Sequence, residues 1–185
     1  MKHRTLTGRI LYTSCKPGRE GAQRGYESFI VTRHTDGRTT IRAHCAIEEP
    51  EPAVLRDVIY SLDENDRPLD CHVRLTVDDR FMGSGWFRMT PGTIECESHG
   101  PAIGRVSQVV AVDDHYDGFG THPIVGDGYF TRCIDVSKGP HRRQVRAFMP
   151  SGDHRGATPP LITEARLTLE YVGEETVTVT AGTFT

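Results

Sequence analysis

The 185-residue chain has little of what usually announces a function. It has one tryptophan, and no apolar run approaches the roughly 18 to 20 residues that a membrane helix needs. No membrane partner is expected. No G-x-S-x-G elbow surrounds Ser107, Ser137 or Ser151, so a nucleophile of that kind is excluded. Glycine-rich phosphate cradles are missing too, because Gly126-Asp127-Gly128 sets a carboxylate where a phosphate would be repelled. No nucleotide, and no other cofactor, is expected. An excess of one charge is also absent: 22 Lys and Arg face 25 Asp and Glu, both signs interspersed, for a net charge of −3. That leaves no electrostatic footprint for nucleic acid.

The five cysteines include no C-x-x-C pair, and Cys45, Cys71 and Cys96 fall on the apolar register of expected strands. There they read as small buried hydrophobes in a reducing compartment. The start, MKHRTLTGRILYTSC, is basic, but Arg9 interrupts its apolar run and Tyr12 suits no lipoprotein-type cleavage before Cys15. No signal peptide is read, and a cytoplasmic location is expected. At this length one domain spanning residues 1–185 is the expectation.

What is present is alternation of period two. Tyr26 to Arg33 and Thr39 to Ile47 read as strands joined at the tight Asp36-Gly37 turn. Ala53 to Leu62 fits helix and strand, and its neighbours favour strand. Leu69 to Asp78, Phe81 to Met89 and Thr93 to His99 follow, with Gly83 and Gly85 suggesting a bulge or a close backbone approach. Val106 to Val112 reads as a strand covered on both faces. Phe130 to Val136, Gln144 to Met149, Arg166 to Val172 and Thr176 to Ala181 complete the set, with a surface loop at Ser151 to Pro160. About ten short strands and no convincing helix predict an all-β fold, an antiparallel meander curled into a barrel or half-barrel. A β-sandwich is the alternative.

The ending, Tyr171-Val172-Gly173-Glu174-Glu175 through Val177 and Val179 to Ala181-Gly182-Thr183-Phe184, resembles a widespread bacterial family of β-rich domains of unknown function. The resemblance implies a lipocalin-like half-barrel whose cupped sheet holds an apolar ligand, and it transfers no catalytic residue. Members of that family are often exported, from which this sequence departs in lacking a signal peptide. The final AGTFT reads as stopping inside a turn or the next strand, which would leave a sheet edge open.

The long central loop, residues 113–129, with its continuation to Arg132, carries the densest chemistry. Asp113 to Arg132 holds four aspartates, two histidines, two tyrosines, two phenylalanines and four glycines. Asp113, His115, Asp117, His122 and Asp127 are metal-ligand types, yet they match no strong motif, and a calcium-loop pattern fails at Ile124. No metal is expected. Proton transfer suits the residues better, because a carboxylate holding one ring nitrogen of a histidine fixes the tautomer presented by the other. His122 and Asp127 are read as such a dyad, with Tyr116 or Tyr129 as donor and Arg132 binding an anionic group. Trp86, Phe119 and His115, with His44, His72 and Arg74 from the polar strand faces, are read as contacts to substrate. The plain alternative is that the loop residues make turns and the polar strand faces look outward.

Two functions follow. One is a cofactor-independent enzyme of the lyase, isomerase or hydratase kind, acting on a small apolar or aromatic substrate in a barrel pocket. The other is a non-catalytic binding protein for a hydrophobic small molecule. A second copy of the chain, as a homodimer, is the other partner expected.

Overall fold

Period-two alternation governs most of the chain, and the computed structural model, which describes residues 2–113 and 116–185, shows what it builds. Eight strands, β1 (Arg4–Thr13), β2 (Gln23–Arg33), β3 (Thr39–Ile47), β4 (Val54–Leu62), β5 (Pro68–Val77), β6 (Arg80–Thr90), β7 (Thr93–Gly100) and β8 (Gly104–Ala111), follow one another. Each pairs antiparallel with the next, so the sheet is a meander with β1 and β8 as its edges. Among the described residues those edges do not pair with each other, so the sheet is open and, of the expected barrel or half-barrel, the closed form is not found.

One face of this sheet is apolar and covered. Ile41, Val58, Tyr60, Leu62, Cys71, Val73, Phe87, Met89, Ile94 and Cys96 project from it into the main core. The segment Ala53 to Leu62 is a strand because Val54, Arg56, Val58, Tyr60 and Leu62 alternate inward, a period that a helix does not bury. Gly83 and Gly85 admit Pro160, since a Cβ at either would come within 3 Å of its ring. A register irregularity between Leu75 and Thr76 lies opposite the stretch from Phe81 to Gly83.

The cover comes from the second part of the chain. It comprises a two-residue strand β9 (Gly118–Phe119), a short helix α1 (Ile124–Asp127), 3₁₀ turns at Gly128–Cys133 and Val136–Lys138, then β10 (His141–Met149) and β11 (Thr163–Tyr171). β10 pairs with both β9 and β11. The ending forms a small hairpin of β12 (Val177–Val179) and β13 (Gly182–Phe184). Phe119 and Phe148 enter the main core from this cover. Phe119 lies 6.5 Å from Tyr60 and 5.2 Å from Phe87 between ring centroids. Truncating such an aromatic costs about 3–5 kcal/mol.

Several local expectations are corrected. β1 was not foreseen, because its alternation is diluted by Gly8 and Arg9; Gly8 makes room for the Phe29 ring, 2.3 Å from where a Cβ would sit. Phe130 to Val136 is not a strand. Phe130 and Cys133 are three residues apart and both buried, a spacing that one 3₁₀ turn satisfies. Val106 to Val112 is not covered on both faces: as the last strand of the meander β8 leaves Val109 70% exposed. Ser151 to Pro160 is not merely a surface loop, since Ser151, Gly156 and Pro160 are buried. All five cysteines are free, with Cys45, Cys71 and Cys96 buried as their register implied.

Candidate functional site

Two polar regions are built where the cover meets the sheet. The first is buried. Glu27, on the inward face of β2, is fully enclosed, and its carboxylate accepts hydrogen bonds from the Ile124 and Val125 amides at 2.7 and 2.9 Å. The Tyr12 hydroxyl donates a third at 2.7 Å. Arg56, 1% exposed on β4, donates from Nη2 to the carbonyls of Arg155 and Gly156 at 2.6 and 2.8 Å, while its Nη1 has no partner among the described residues. Glu27 pairs across the sheet with Cys45, and Cys45 with Arg56, so one inward row carries all three.

His122 and Asp127 belong to this region, but not as a dyad. The Asp127 carboxylate accepts from the backbone amides of Thr121 and His122 at 2.6 and 3.2 Å, closing the turn before α1. The His122 ring turns elsewhere: its Nε2 lies 3.1 Å from the Asp153 carbonyl, so Nε2 carries the proton and donates it there. Nδ1 is then a bare, buried acceptor without a partner among the described residues. Burial first, and the neighbouring Arg56 second, lower the imidazole pKa to about 4. Burial raises that of Asp127, against the hydrogen bonds from Thr121 and His122. His122 also adopts φ of 72°, unusual for a non-glycine residue and held by these same bonds. The expected side-chain pair is thus replaced by two separate backbone anchors.

The second region is an open cleft of about 880 Å³ at the end of the sheet where β4 turns into β5 and β6 into β7. Along β4, Arg56 and Leu62 are six residues apart, so roughly 20 Å separates the two regions. Asp63, Asn65, Arg67, Pro68 and Leu69 form one wall, Met89 to Gly92 a second, and Asp113, Tyr116, Asp117, Arg132, Cys133 and Arg143 a third. Arg132 bridges the walls, donating to the Asp66 carbonyl at 2.5 Å and the Asp117 carbonyl at 2.7 Å. Asp117 pairs with Arg143 at 2.5 Å, and Asp113 pairs with Arg146. Tyr116 packs edge-on against Phe148 with centroids 5.8 Å apart. Burial pushes its hydroxyl pKa up, while Arg132 and Arg67 pull it down. It therefore stays a hydrogen-bond donor at neutral pH.

The remaining expected residues are dispersed. Trp86, His72 and Arg74 lie on the exposed face of the sheet opposite the core, and half-exposed His44 shares that face, hydrogen-bonded to Asp57 at 2.7 Å. Trp86 lies tilted beside His72 with centroids 6.1 Å apart, and none of these four reaches the core side. The reason is parity: each alternates with a buried neighbour, such as Phe87 beside Trp86. Phe119 is core and presents nothing to a ligand. Around it, among the described residues, only about 10 Å³ is open beside Tyr60, Tyr129 and Phe130, enough for at most a water. Among the described residues, Phe119 and Phe148 occupy the space over the apolar face of the sheet. Tyr129 packs half-buried against that core, and His115 lies outside the described residues.

Sequence reasoning missed Glu27, Arg56, Tyr12 and Arg67. The first two had a usable signal, a charged residue on the inward register between apolar ones: Gly25, Glu27, Phe29 and Val54, Arg56, Val58. Arg67 had none, because it sits in a turn without period.

Among the described residues no helix is long and apolar enough to cross a membrane. Comparison with known protein families, with curated proteins and with solved structures finds no match to this chain.

Proposed function

We propose that the chain is a small-molecule-binding domain, a lipocalin-like half-barrel that takes its ligand at the mouth rather than in the cup. The half-barrel reading rests on Phe119 meeting both Tyr60 of β4 and Phe87 of β6, as a side chain does when a sheet curves around it. The same reading keeps the likeness of residues 171–184 to the bacterial β-rich family. The observation that carries the function is the cleft, whose size falls in the range of small-ligand sites and which combines guanidinium groups with apolar walls. Proton transfer by His122 and Asp127 has less support, because the ring donates to the Asp153 carbonyl and the carboxylate accepts from the Thr121 and His122 backbone amides rather than from the ring.

Backbone amide shifts in a screen of small aromatic and aliphatic compounds test this. Binders should move Leu69, Tyr116 and Arg132 together. Binders that instead move only Trp86, His72 and their neighbours on the outer face would overturn it.

A further inference from the structure

Six charged side chains of described residues line the cleft, and three of them, Asp117, Arg143 and Asp113, are paired with a neighbour. Asp117 has Arg143, and Asp113 has Arg146. Asp63 accepts from the amides of Asn65 and Arg67, each at 2.8 Å, which leaves its charge without a cation among the described residues. Among the described residues Arg132 donates to neutral carbonyls, so its charge has no ion-pair partner there either. The guanidinium of Arg67 lines the same space and has no hydrogen bond or ion pair with a described residue. The six charges of described residues that line the cleft, three aspartates and three arginines, sum to zero, and Arg146, outside the lining, is shared by Asp113 and Glu164; what sets the cleft apart is the Arg67 guanidinium, which keeps all its donors free of a described partner.

From this we infer that the cleft selects a monoanion, a carboxylate on an apolar or aromatic body, with Arg67 as its ion-pair partner. The inference rests on the mouth being the binding site. A planar guanidinium with free donors matches a carboxylate in two parallel hydrogen bonds, which an ammonium or an amide cannot reproduce. Tyr116 offers a further donor from the opposite wall, and Leu69, Met89 and Pro91 receive the apolar part. A dianion fits less well, since Asp63, Asp113 and Asp117 all face the same volume.

The probe is 4-phenylbutyrate, compared with its neutral amide, 4-phenylbutyramide, and with phenyl phosphate as a dianion. The readout is the methyl signal of Met89 in protein labelled at its four methionines. The carboxylate should shift Met89 saturably and bind at least about tenfold more tightly than the amide, a difference of about 1.4 kcal/mol. Arg67→Met should erase that preference while leaving the amide's binding unchanged, and Arg67→Lys should restore it in part. Phenyl phosphate should bind more weakly than the carboxylate. Equal binding of acid and amide, with Met89 responding to both, would overturn the ligand class and leave the cleft standing as the site. A Met89 signal unmoved by all three would overturn the site and the class together.

Discussion

The buried cluster around Arg56 and the open cleft around Arg67 are built from the same kinds of residue and differ in what those residues have left to give. In the cluster, Glu27 accepts three hydrogen bonds, Asp127 closes a turn, and His122 donates its proton to Asp153. Its histidine, His122, is perturbed first by enclosure, which is also what keeps it from a ligand. In the cleft the perturbations are milder and the donors freer. A shifted pKa alone therefore points to the wrong end of this molecule: desolvation shifts groups that fasten a fold as strongly as groups that react.

The comparison breaks most readily at Arg56. Arg56→Met leaves the Arg155 and Gly156 carbonyls buried without a donor and removes the cation facing Asp127. A loss of about 3 kcal/mol of stability is expected in urea unfolding. A loss below about 0.5 kcal/mol would show that the guanidinium does not fasten the 150–160 segment to the sheet. Glu27→Gln should come next, at about 2 kcal/mol, because the carboxylate receives two amides and a hydroxyl and a carboxamide turns one donor toward them.

Acid titration sharpens the same contrast. The folded pKa of His122 is about 4 against 6.5 for the free group, so between those values the unfolded chain binds a proton that the folded chain refuses. Stability is unaffected above pH 6.5 and falls as the pH drops toward 4, by up to about 3 kcal/mol. Asp127 has the opposite sign: its raised pKa makes the folded state the better proton binder above the ordinary carboxylate value, so acid protects there. His122→Asn, which tolerates positive φ, should flatten the melting temperature between pH 6.5 and 4.5. An unchanged slope would place the acid sensitivity elsewhere.

The smallest effect belongs to the cleft. Arg67→Met breaks no bond to a described residue, so thermal melting should shift by no more than about 0.5 kcal/mol in stability. A larger loss would make Arg67 part of the scaffold and remove the contrast between the two regions.

The residues themselves determined that this protein is a β meander, because side chains on a pleated strand alternate whatever surrounds them. Thr39–Ile47 follows from that local rule alone, and the inward cysteines with it. The rule says nothing of which face meets a partner, and so Trp86, His72 and Arg74 were as readable inward as outward. Only the tertiary structure decided that, by laying residues 116–133 over one face and leaving the other to water. It also decided that Phe130 to Cys133 would coil, since both side chains enter one apolar cluster with Val145 and Ala147, which a single 3₁₀ turn allows. Whether His122 faces Asp127 or Asp153 depends on contacts 31 residues apart in the chain. No local pattern carries that distance, because a carbonyl and a carboxylate compete for the same ring proton and packing alone brings one of them near.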